Sequence, residues 1–86
     1  MTALQEKVLY EGLKDTFVAV HKSHEMNKEL GTWERNIMKV SEDNIDSTCR
    51  QIARDVSAFI EREKQRGKNP SQTQIKNKIK EALNNL

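Results

Sequence analysis

Tyr10, Lys14, Lys22, His24 and Lys28 lie along one run, LYEGLKDTFVAVHKSHEMNKELGTW (residues 9–33), in which an aromatic ring is followed by cations. Such a set suits a flat, negatively charged ligand. A tyrosine face stacks on a base, a contact worth about 1–3 kcal/mol, and lysine ammonium groups neutralise phosphates. Tyr10 falls outside the stripe Leu4, Val8, Leu13, Phe17, Val20 and His24, so burial within its own subunit does not explain it. Two roles remain for the ring: a stacking platform, or an anchor packed between subunits.

Other chemistries are less well served. His21, His24 and Glu25 stand at i, i+3 and i+4 and could share a helical face toward a metal ion. A zinc site wants four ligands with outer support, and the single cysteine, Cys49, sits on a separate apolar stripe with Ile45 and Ile52. Surface or semi-buried histidines are the simpler reading, and no metal or cofactor is expected. Cys49 itself reads as a small buried hydrophobe rather than a reactive thiol. No serine or cysteine falls in a strand-turn-helix elbow and no glycine-rich loop cradles phosphate. Glu61 and Glu63 are interleaved with basic residues like a solvated face. The expectation is a protein that is not an enzyme.

The net charge of +2 conceals an asymmetry: within residues 62–80, Arg62, Lys64, Arg66, Lys68, Lys76, Lys78 and Lys80 face only Glu63. The rest of the chain is therefore acidic. The basic segment implies either an anionic partner or attraction to the acidic part of a neighbouring copy. A helix, a turn holding Gly67 and Pro70, and a lysine-bearing final helix could resemble a helix-turn-helix. Asn77 is then the only base-reader between the lysines, and Gln72-Thr73-Gln74 serves equally as capping chemistry. A small DNA-binding regulator using residues 62–80 is one alternative function, and an adaptor whose partner is only protein is another.

These residues must be positioned by helices. Turn signals are few, with Pro70 the only proline and Gly12, Gly31 and Gly67 the only glycines. Thr2 to Gln5 reads as a capping box opening a helix that runs to about Leu30. Gly12 inside it implies a bend or a close contact, since glycine costs roughly 1 kcal/mol there against alanine. Gly31 should end that helix, and Thr32 should cap a second one carrying Trp33, Ile37 and Val40 on one face. Ser41 can re-cap or kink the chain before a run from Ile45 through Cys49, Ile52, Val56, Phe59 and Ile60 to about Arg66. Gly67 then caps that helix, and Ser71 with Gln74 forms a second capping box before a closing helix with Ile75, Ile79, Ala82, Leu83 and Leu86 on one face.

The fold class is therefore all-α: a small antiparallel helical hairpin or bundle over residues 1–86, with a long first helix, a kinked second and a short closing helix. Leu, Ile, Val and Phe total 19 of 86 residues, barely above the roughly 20% below which charged chains tend to be disordered. A monomer of this size buries only about 60–65% of its unfolded surface. The thin core implies completion by oligomerisation, from a dimer to a hexamer. No apolar run approaches the ~18–20 residues needed to span a bilayer and no leader is evident, so no membrane association and a cytoplasmic location are expected.

Two short motifs add a resemblance. YEGL at Tyr10–Leu13 and KELG at Lys28–Gly31 are similar to the Tyr-x-x-Leu start and Glu-Leu-Gly end of a helix in the small helical-hairpin anti-CBASS proteins of tailed phages, sponges for cyclic oligonucleotide immune signals. The similarity spans about 22 of the 86 residues. It implies a cyclic di- or oligonucleotide of the cGAMP type bound at subunit interfaces of a homo-oligomer, which would block nucleotide-activated antiphage immunity from the host cytoplasm. Tyr10, Lys14, Lys22, His24 and Lys28 would be the ligand-binding residues. The chain departs from the family where a lysine about fifteen positions after the tyrosine is replaced by Glu25, with Lys22 and Lys28 to either side.

Overall fold

The computed structural model describes residues 3–26 and 29–86. It is built from α1 (Ala3–Glu25), α2 (Thr32–Met38), a 3-10 turn (Glu42–Asn44), α3 (Ile45–Gln65) and α4 (Gln72–Asn84). No strand occurs among the described residues. Thr2, from the expected first capping box, and Lys28, from the expected ligand set, lie outside them.

The principal pairing is α1 against α3, while α2 bridges α1 and α4. Phe17, Ile37, Cys49 and Val56 are the largest fully buried side chains, with Leu13, Val20, Ile45, Ile52, Ala53, Ile60 and Leu83 completing the core. On α3 the buried residues 45, 49, 52, 53, 56, 57 and 60 recur at helical spacing, so one stripe faces inward and the charged remainder stays in water. Gly67 follows α3 with φ 75, the left-handed conformation that glycine adopts without penalty and that ends a helix. At the start of α4, Ser71 Oγ accepts from the Gln74 N–H at 3.2 Å and Gln74 Oε1 accepts from the Ser71 N–H at 2.8 Å. Both caps follow the sequence expectation.

Three expectations need correction. α1 stops at Glu25 rather than near Leu30. A helix advances about 100° per residue, so a helical Leu30 would point well away from the face of Phe17. Leaving the helix lets Leu30 turn back against the core. Gly31, with φ −74 and ψ 178, is extended and caps the start of α2, its N–H donating to Glu34 Oε1 at 3.1 Å. It does not end α1, and Thr32 is already helical. Of the two readings at Ser41 the structure takes the re-cap and not the kink: Ser41 is the N-cap residue of the 3-10 turn, without a side-chain cap bond. Its ψ of 155 separates α2 from the 3-10 turn, which frees α3 to run back along α1.

The inward stripe of α1 also differs from the expected one. Val8 is 61% exposed and His24 is exposed. Val8 and Phe17 are nine residues apart, so at about 100° per residue they lie on opposite sides of the helix. The true stripe runs through Leu9, Tyr10, Leu13, Phe17 and Val20. His24 is in phase with it but lies a turn beyond His21, which lines a depression with Glu42, Ile45 and Asp46 that His24 does not reach. Gly12 sits within an uninterrupted helix, and a Cβ there would meet nothing within 4 Å. The close contact anticipated for it does not arise within the chain.

Cys49 is fully buried, and burial pushes its thiol up to about 11, with the Asp46 carboxylate adding to the shift. The thiolate is the reactive form, so native Cys49 should react with iodoacetamide at pH 8 at least about a hundredfold more slowly than in urea-unfolded chain. Mass spectrometry of timed reactions checks this. Equal rates would mean that Cys49 is open to solvent.

Candidate functional site

Tyr10 is half-buried and packs against the core. Its position seven residues before Phe17 puts the two within about 20° on the helix, which corrects the expectation that Tyr10 lies off the buried stripe. The first turns of α3 supply its partners. Asp46, an acid in the first turn where the helix dipole favours negative charge, accepts a hydrogen bond from the Tyr10 hydroxyl. Arg50, one turn later, donates from Nε to Asp46 Oδ2 at 2.9 Å and lays its guanidinium 4.4 Å from the Tyr10 ring centroid. Lys14 Nζ lies 3.8 Å from Asp46 Oδ1 and 5.8 Å from the same ring.

The electrostatics follow from these contacts. The Tyr10 hydroxyl and then the Arg50 guanidinium hold the Asp46 carboxyl below the usual carboxylate value. The Tyr10 hydroxyl, with Asp46 contributing, holds the Lys14 ammonium above its ordinary value. Asp46 is depressed on folding, so its contribution is present above the ordinary carboxylate pKa and lost as pH falls through the lowered one. Half-exposed charges are well screened, so the effect on stability is small. The contacts hold Arg50 between the Asp46 carboxylate and the Tyr10 ring.

Beside it lies a shallow depression of about 380 Å³ lined by Glu6, Lys7, Tyr10, Arg50, Ala53 and Arg54. Three cations and one carboxylate border it, and the small, fully buried Ala53 forms its floor. Arg50 and Arg54 reach it from successive turns of α3, and Lys7 from α1. An arginine plane resting on an aromatic ring keeps its outer face and remaining N–H groups free for a base or a phosphate.

Of the expected ligand residues, Tyr10 and Lys14 are brought together. Lys22 lines an adjoining depression of about 420 Å³ with Lys14, His21, Glu25, Glu42 and Asp46 among its walls, where three carboxylates offset the lysines. His24 joins neither. Lys7, Asp46, Arg50 and Arg54 were not anticipated, although the four-residue spacing of Asp46, Arg50 and Arg54 was a readable sign of one helical face.

The lysines of the basic segment do not share a face. Lys76 and Lys80 edge an apolar groove, whereas Lys78 lies 5.3 Å from the Phe59 ring centroid and 3.7 Å from Glu81. A recognition helix needs its cations turned to one groove of the duplex, and α4 divides them. Among the described residues no group of three or more His, Cys, Asp or Glu is placed to hold a metal ion, and no helix is long and apolar enough to cross a membrane. No family model matches the chain, and no curated protein or solved structure is significantly similar to it.

Proposed function

We propose that the chain is a non-enzymatic binding protein that sequesters a cyclic di- or oligonucleotide on the α1–α3 face. One observation carries this reading: Lys7, Arg50 and Arg54 converge with Tyr10 on one open depression that has a single carboxylate on its border. In this reading Tyr10 does not stack on the base directly, because Arg50 covers its ring. Tyr10 and Asp46 hold the guanidinium flat, the base stacks on the outer face of Arg50, and Lys7 and Arg54 take phosphates. The ligand is held without chemical change and so withheld from a nucleotide-activated receptor.

Titration calorimetry of the native chain against a panel of cyclic di- and trinucleotides tests the reading. Saturable binding is expected, with the nucleotide recovered unmodified after the protein is denatured. A ligand with two phosphates should lose little affinity with salt compared with a duplex, whose log–log slope is near −0.9 per neutralised phosphate. No heat across the panel, or a steep slope with duplex DNA as the tighter ligand, would contradict it.

A further inference from the structure

We infer that the groove between α1 and α4 seats a second copy of this chain, the two copies related by a two-fold axis running along the groove. This does not rest on the nucleotide reading, whose residues lie on the α1–α3 face. Among the described residues no Cα of α1 comes within 8 Å of one in α4, because α2 stands between them. The gap is an open groove of about 490 Å³ in which Lys76 and Lys80 are the only charged lining residues among the described ones. Val8 and Trp33 border it while 61% and 41% exposed, so large apolar surface is left in water where a partner would cover it.

The two edges of the groove differ in sign. Lys76 and Lys80 form the α4 edge and make no ion pair among the described residues. On α1, Asp15 stands about 20° from Val8 around the helix, on its solvent side, and is likewise exposed and unpaired among the described residues. Glu11 lies beside it, held only by Lys7 at 4.0 Å. Rotation about an axis along the groove sets each acidic α1 edge over the basic α4 edge of the other copy. A separate acidic helix would answer the lysines but face Asp15 with like charge, so the groove fits itself best.

Gly12 supplies a further reason. It lines the α1 wall of the groove, and nothing in the chain would obstruct a side chain there. A mid-helix glycine weakens a helix without benefit to the monomer, whereas the close approach of a second backbone requires one.

Sedimentation velocity of the full chain from about 1 to 200 µM, read with Trp33 emission, tests the inference; association across this range would be of ordinary micromolar strength. The mass should rise from 10.0 kDa toward twice that value, with a blue shift of Trp33. Gly12→Arg should weaken association at least about tenfold while helical circular dichroism and nucleotide binding stay unchanged. Lys76→Glu with Lys80→Glu should weaken it similarly, and adding Asp15→Lys should recover most of the loss. A chain that remains monomeric throughout, association undiminished by Gly12→Arg, or a charge-swapped chain no better than the lysine double variant would overturn it.

Discussion

Phe17→Ala should lower the free energy of unfolding by about 3–5 kcal/mol, the usual result of truncating a buried phenylalanine and leaving a cavity. Phe17 is wholly inaccessible to solvent in the core and forms part of the floor of the groove between α1, α2 and α4. At roughly 0.05–0.15 kcal/mol per residue, a chain of 86 residues has only about 4–13 kcal/mol of stability to lose. The urea midpoint of the variant should fall sharply, and at the low end of that range the variant would be largely unfolded at about 25 °C. A shift below about 1 kcal/mol would mean that this ring is not packed in the core.

Ile37→Ala should cost about 2–5 kcal/mol. The value is large for a seven-residue helix, because a segment that short has little helical stability of its own. Ile37 is the one fully buried residue of α2, and α2 is the element that joins α1 to α4. Loss of its side chain removes one of the two supports of α4, which also packs on α3, and should loosen α4 before α3, which α1 holds. Hydrogen exchange should show amide protection falling first over residues 72–84, with residues 45–65 retaining theirs. Uniform loss across both helices would instead mean that α4 is held mainly by α3.

The helical class, the α3 stripe, the Gly67 terminus and the Ser71–Gln74 capping box were all legible in the sequence, because each depends on local spacing or on one residue's backbone preference. The stripe of α1 was not. Including Val8 as a core residue placed Tyr10 on the outside, when the constant rotation of a helix puts Tyr10 and Phe17 together and Val8 opposite. Which apolar residues stay in water depends on where neighbouring helices lie, and Val8 is exposed because α4 is held away from α1. The site was half legible for the same reason. Tyr10 and Lys14 lie close along one helix, but Arg50, Arg54 and Asp46 reach them only once α3 returns beside α1. Lys78 shows the converse: it stands between Lys76 and Lys80 in the basic segment, yet in space it meets the Phe59 ring of α3 as well as Glu81.

In the proposed function Arg50, backed by Tyr10, receives the base of a cyclic nucleotide. A cyclic dinucleotide titrated calorimetrically into Arg50→Ala and into the native chain distinguishes this from a merely structural Arg50. Removing a stacking plane should weaken binding at least about fivefold, the lower end of the roughly 1–3 kcal/mol that base stacking contributes. The fold should persist, because Arg50 is 56% exposed. Native-like affinity in Arg50→Ala would mean that Arg50 does not receive the base, and no binding by the native chain would mean that the depression is not a nucleotide site.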